Sequence, residues 1–274
     1  MIQDNIEIIN LVPKFLDFYK KAKGRDCETR FELWKKHYGF AAVPPGEEGA
    51  LLARQQLEAA WENYENVIPF LEQWSPDIQA IHQYLSKIKS ELAYEQSVDV
   101  ALIFFVGAFD GNAFAAPYSK DRIAVCFPIE NGKDEIVIVH ELTHLVHGLL
   151  IGSEMSWSRS VASLVFQEGL ATQLSKHLVP CHPDEVYIQT QEGWLQKCRE
   201  DANQILQGIK PCLQERSAET ILQFTMGTGT TGKVREGYFA GWKLIGDMLE
   251  DGWSFPDIAR IREPDMVNAL AKYI

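Results

Sequence analysis

An apolar run from Ile136 to Ile151 is broken by one polar string, His140-Glu141-Leu142-Thr143-His144, and that string restricts what the chain can fold into. The run reads as a helix. Residues four apart on a helix share a face, so both imidazoles reach one point in space. Three of the seven histidines fall between 140 and 147, among Val139, Leu142, Leu145, Val146, Leu149 and Leu150. Two imidazoles and a carboxylate are costly in a largely buried helix unless something compensates them. A divalent metal does so. Neutral imidazole is a good zinc ligand, and Glu141 stands where a carboxylate takes a proton from water held at the metal.

A catalytic zinc usually takes three protein ligands and leaves one position open. A third histidine in the pattern H-E-x-x-H-x-x-G-x-x-H is ruled out, because His147 and Leu150 occupy the glycine and histidine positions. Glu168 is the better candidate. It lies in Ser160–Leu178, on the stripe formed by Val161, Leu164, Val165, Ala171 and Leu174. A carboxylate on that face needs a partner, either a metal on the neighbouring helix or a buried Arg or Lys. Glu154, near a polar loop, and a Cys126 thiolate are weaker candidates.

His140, Glu141, His144 and Glu168 together resemble the gluzincins, the thermolysin-like and aminopeptidase clan with H-E-x-x-H followed by a glutamate on the next helix. Gln167-Glu168-Gly169-Leu170-Ala171 is similar to the Asn-Glu-Gly-Phe-Ala string of zinc aminopeptidases. More narrowly, the chain from about Val100 onward resembles an uncharacterised family of predicted bacterial zinc-dependent proteases. The matching landmarks are Gly111-Asn112, the metal helix, Glu168 to Ala171, and Gly237-Tyr238-Phe239-Ala240-Gly241. The resemblance implies an α+β, mostly helical, zincin-like fold with a small β-sheet over the active-site helix. It implies a zinc-dependent peptide-bond hydrolase acting on peptide or protein substrates. Some gluzincins carry an aspartate four residues after the third ligand; here that residue is Thr172, so the partner that braces the ligands is open.

The remaining sequence bounds the setting. With 274 residues, 46% of them hydrophobic, a large core is within reach. No stretch of eighteen apolar residues occurs, so no membrane span is expected. Met1 to Asn10 carry Asp4 and Glu7 without a basic stretch, which does not read as a secretory signal. Five cysteines scattered without a C-x-x-C pair fit free thiols in a reducing cytoplasm, with Cys126 a buried strand residue. A net charge of −12 argues against nucleic acid or an anionic membrane as partner and says little about substrate. Oligomeric state and the choice between endo- and exopeptidase action are not encoded legibly.

Helical spacing is expected over Pro13–Lys23, Cys27–Tyr38, Ala50–Gln73 and Pro76–Gln96, with Trp34, Trp61 and Trp74 as core anchors. Residues 1–96 thus read as an N-terminal helical region and 97–274 as the catalytic domain, with one continuous globular unit as the alternative. Ala101–Val106 and Arg122–Phe127 read as strands joined by the loop Gly107–Asp121. If the resemblance holds, residues 111–118 line the cleft and peptide binds by strand addition. After Pro180, helices are expected over Asp184–Leu206, Ala218–Phe224, Gly237–Glu250 and Phe255–Arg262.

Gly227-Thr228-Gly229-Thr230-Thr231-Gly232-Lys233 matches part of a phosphate-binding loop, but Val234 lacks the hydroxyl that would meet magnesium. A mobile loop beside the active site is the preferred reading. Tyr238, just beyond it, is the candidate hydrogen-bond donor to the oxyanion, with His177, His182 and Arg235 in reserve. His147 is expected to support the site from behind; as a fourth ligand it would instead mark a non-catalytic, structural metal. Hydrolysis of a non-peptide amide is a further alternative.

Overall fold

The computed structural model describes residues 4–119, 122–131, 135–152, 159–188 and 190–274. In chain order its elements are β1 (Asn5–Asn10), α1 (Val12–Ala22), α2 (Cys27–His37), α3 (Glu47–Leu71), α4 (Ile78–Glu91), β2 (Asp99–Phe105), β3 (Phe114–Ser119) and β4 (Arg122–Pro128). There follow α5 (Glu135–Ile151), α6 (Val161–Leu178), α7 (Asp184–Ile188), α8 (Trp194–Glu200) and α9 (Ala202–Ile209). Last come α10 (Ala218–Thr225), α11 (Glu236–Glu250), α12 (Phe255–Ala259) and α13 (Glu263–Ala271). The class is α+β, mostly helical with one small mixed sheet, as expected. Among the described residues no helix is long and apolar enough to cross a membrane.

Two compact units divide the chain: Met1–Ile81 with Gln96–Asp134, and His82–Glu95 with Glu135–Ile274. The division therefore does not fall at residue 96. Strands beyond 96 cluster with the first three helices because β1, unforeseen in the supposedly helical N-terminal region, pairs in parallel with β2.

In the first unit the sheet order is β1-β2-β4-β3. β2 and β4 are central and parallel, and their runs Val100–Phe105 and Ala124–Phe127 are buried on both faces, which explains their near-continuous apolar sequence. β3 is an antiparallel partner of β4 inside what reads as a loop, 107–121. Its half-exposed Phe-Ala-Ala-Pro-Tyr-Ser sequence carries no alternating pattern, and Pro117 suits an edge position. Trp34 and Trp61 are buried among aromatic rings as expected, and Trp74 packs on Phe104 with ring centroids 5.3 Å apart.

The second unit is built on α6. Ser160 caps it, its hydroxyl accepting from Ser163 N at 3.1 Å, and Pro180 follows its end. From Val161 to Ser175 nearly every side chain of α6 is buried, because α5, α10, α11, α12 and α13 all pack on it. The tightest crossing is with α11. A Cβ on Gly169 would run into the Gly241 carbonyl, and one on Gly241 into the Val165 carbonyl. The two glycines of the Glu-Gly-x-Ala and Gly-Tyr-x-x-Gly strings are thus the contact that lets the two backbones touch. Gly241→Ala is expected to destabilise the protein by about 1–3 kcal/mol through overpacking, read as a lowered denaturation midpoint at unchanged m-value.

Two helical expectations need correction. Asp184–Leu206 is not one helix but α7, α8 and α9, broken at Gly193, which is left-handed at φ 72°, and at Asp201, whose φ of −104° and ψ of 18° leave the helical region. The stretch 255–262 ends at Ala259, its start fixed by a capping box between Ser254 and Asp257. α13 follows with Pro264 in its first turn.

Candidate metal centre

His140 and His144 project from one face of α5, one turn apart, with their Nε2 atoms 3.0 Å from each other. Glu168 on α6 brings Oε2 to 3.2 Å from His140 Nε2 and 3.4 Å from His144 Nε2. Among the described residues this is the group of three that can hold a metal ion. The donor set fits such an ion closely. Donors at the corners of a tetrahedron, each 2.0–2.1 Å from its centre, lie about 3.3 Å apart. Glu141 follows His140 on the same helix and is half-buried.

Electrostatics explain how a carboxylate survives here. Glu168 is 5% exposed. Burial alone would raise its pKa, but the facing imidazoles of His144 and His140 overturn that and hold it well below the usual carboxylate range. Burial likewise works against charge on His144, yet Glu168, with Glu141 adding, raises its pKa above the ordinary value.

The other Glu168 oxygen, Oε1, lies 3.7 Å from Arg159 Nη2. Arg159 in turn donates from Nη1 to Gln167 Oε1 at 2.8 Å, and Gln167 Nε2 donates to Ser163 Oγ at 3.0 Å. Of the two partners weighed for Glu168, the basic one is thus Arg159, on Oε1, while Oε2 faces the imidazoles. Arg159 faces the Glu168 carboxylate, and Gln167 holds Arg159 in place. Sequence reasoning missed Arg159; the one signal was a basic residue just ahead of the helix carrying the third donor.

The remaining candidates fall elsewhere. His147 is buried, bonds the Ala259 carbonyl of α12 and stacks near Phe166, and it is not one of the three grouped donors. Burial, with His144 adding, lowers its pKa to about 4, which keeps it neutral. His177 lies 3.6 Å from Glu91 and packs on Phe255; His182 packs on Tyr187. Neither belongs to the metal group. Cys126 is a buried residue of β4, as read, and burial pushes its thiol up to about 12, against any thiolate role. Glu154 lies outside the described residues.

Tyr238, in the first turn of α11, does reach this neighbourhood. The charge of Glu168 is the largest influence on its phenol, with burial next, and together they push it up to about 12 against the opposing charges of Arg235 and Arg159. At neutral pH the phenol keeps its proton and can donate. Arg235 lies over the Tyr238 ring with Cζ 3.9 Å from the centroid.

The glycine-rich segment ahead of them is closed, not free. Glu236, fully buried, accepts from Thr230 N and Thr231 N at 2.8 and 2.9 Å, from both threonine hydroxyls, and from Lys233 N at 3.1 Å. The segment is an anion nest filled by the chain's own carboxylate, and Lys233 is paired with Asp201. Gly229 is required because a Cβ there would overlap the Glu236 carboxyl. This occupancy accounts for the resemblance to a phosphate-binding loop without a nucleotide.

Comparison with protein-family models, curated proteins and solved structures finds no match for this chain.

Proposed function

We propose that the chain is a zinc-dependent peptide-bond hydrolase with a zincin-like second unit. One observation carries the reading: three donors from two helices converge within hydrogen-bonding distance of one another, with a carboxylate next in sequence to the first. Two imidazoles and a carboxylate favour zinc over harder cations. When bound, zinc would supply Lewis-acid polarisation of the scissile carbonyl and acidify an attacking water. Glu141 would take that water's proton and pass it to the leaving amine. Tyr238 would donate a hydrogen bond to the developing oxyanion. Arg159 would hold Glu168 so that Oε2 stays turned to the imidazoles. Free cysteines support a cytoplasmic setting, and peptide or protein substrates follow from the proposed chemistry.

Metal analysis of the purified protein, followed by a peptide-library cleavage assay with and without chelator, tests the reading. About one zinc per chain and chelator-sensitive cleavage are expected; cleavage indifferent to chelator would remove it. Within that assay, Tyr238→Phe should lower kcat about 100-fold with little change in KM, the signature of a contact made only in the transition state.

A further inference from the structure

Arg235 hydrogen-bonds the Tyr238 hydroxyl and lies over its ring, but the hydrolase reading gives its charge no substrate group to meet. Acidic residues outnumber basic ones by 38 to 26, and Arg30, Arg54, Arg122, Arg159 and Arg199 each meet a carboxylate. Among the described residues Arg235 meets none, like Arg25, Arg260 and Arg262, but those three are exposed and Arg235 is half-buried. Its Nε is buried and lacks a hydrogen-bond partner, a condition that native structures rarely tolerate without a reason. Its backbone is left-handed at φ 57°, which is unfavourable for a residue with a long side chain.

The surroundings impose that conformation. Five hydrogen bonds close the preceding segment onto Glu236, and Arg235 N donates to the Gly227 carbonyl at 3.2 Å. The guanidinium is thereby laid over Tyr238, whose hydroxyl faces the charge of Glu168. A rigid, strained support thus carries a cation without a carboxylate against the tyrosine whose phenol feels the Glu168 charge.

We propose that Arg235 receives a carboxylate of the substrate, which makes the hydrolase selective for peptides that carry one close to the scissile bond. The inference rests on the hydrolase reading for its location and on Arg235 for its chemistry. Guanidinium and carboxylate match in a two-point fork that an amide cannot reproduce. Two groups offer that chemistry: the free C-terminus of a peptide, which would make the enzyme a carboxypeptidase, and an Asp or Glu side chain.

Three acetylated tripeptide pools separate these cases: free C-termini without acidic residues, the same pool amidated, and an amidated pool containing Asp and Glu. Cleavage by the zinc-loaded protein is read by mass spectrometry. Retention of each pool by zinc-loaded Glu141→Gln protein is read by equilibrium dialysis. At least a tenfold preference for a carboxylate-bearing pool is expected, on the order of what one charge-assisted pair supplies. Which pool is preferred identifies the source. Arg235→Gly relieves the left-handed strain, should melt no lower than wild type, and should reduce the preference to near unity; Arg235→Lys should keep part of it.

Equal handling of all three pools overturns the proposal. So does a preference that survives in Arg235→Gly, since the metal alone would then account for it. Absence of cleavage in every pool would sink the hydrolase reading, while the dialysis ratios, compared with and without Arg235→Gly in the same background, would still decide for or against Arg235.

Discussion

Glu141→Gln is expected to bind zinc as well as the wild type and to lose about 10²–10⁴-fold in kcat, the range that a positioned general base contributes. The substitution is nearly isosteric and retains hydrogen-bonding atoms, so substrate positioning survives while proton transfer does not. Glu141 is half-buried on α5 next to His140, and its charge is felt at His144. It is absent from the donor trio, so the metal does not depend on it. Turnover per bound zinc, with zinc counted by atomic spectroscopy, separates the two effects. A variant that keeps more than about a tenth of wild-type turnover would leave Glu141 without the role of base. A variant that loses zinc as well would make it a ligand instead.

The parts of the site readable from sequence are those whose chemistry conflicts with their surroundings. His140 and His144 stand out because imidazoles on an apolar helix require a reason, and Glu168 stands out because it interrupts a core stripe. Arg159 had no such conflict to announce it. It precedes the Ser160 cap, outside any periodic segment, and only the folded start of α6 brings it to Glu168. The glycine-rich string shows how a correct local reading can mislead. It does form an anion nest, but the anion is Glu236, three residues past Lys233, and nothing in the spacing says that the nest is already filled. The unit division was illegible for a related reason. It depends on β1 pairing with β2 some ninety residues away, and the alternation of Asn5-Ile6-Glu7-Ile8 is too short to stand out beside the helical spacing that follows.

Glu168→Gln should have the second large effect, a loss of more than about 100-fold in zinc affinity, beyond the 10–100-fold that removing an outer partner of a ligand typically costs. Charge, not shape, is what the substitution removes. The sign of the pH dependence follows from the two shifts. Glu168 is depressed below its ordinary 4.5, so in the metal-free protein its contribution to stability is present above that pH and is lost as pH falls through the depressed value. His144 is raised above its ordinary 6.5, so its contribution is full below 6.5 and is lost as pH rises through the raised value. The window in which the pair stabilises the metal-free protein most is therefore pH 4.5 to 6.5. Metal loading requires the neutral imidazole and works against the same pairing, so zinc affinity should climb as pH rises through neutrality. In Glu168→Gln, His144 loses the carboxylate that raises it. The variant should bind zinc weakly, with a shallower climb, and its metal-free form should lose more melting temperature at pH 5.5 than at pH 8. Zinc titrations against a competing chelator at several pH values, with thermal melts of the metal-free proteins, measure both. A zinc Kd within about threefold of wild type, about 0.7 kcal/mol at most by the usual conversion, would show that Glu168 serves only its pairing with Arg159 and the imidazoles.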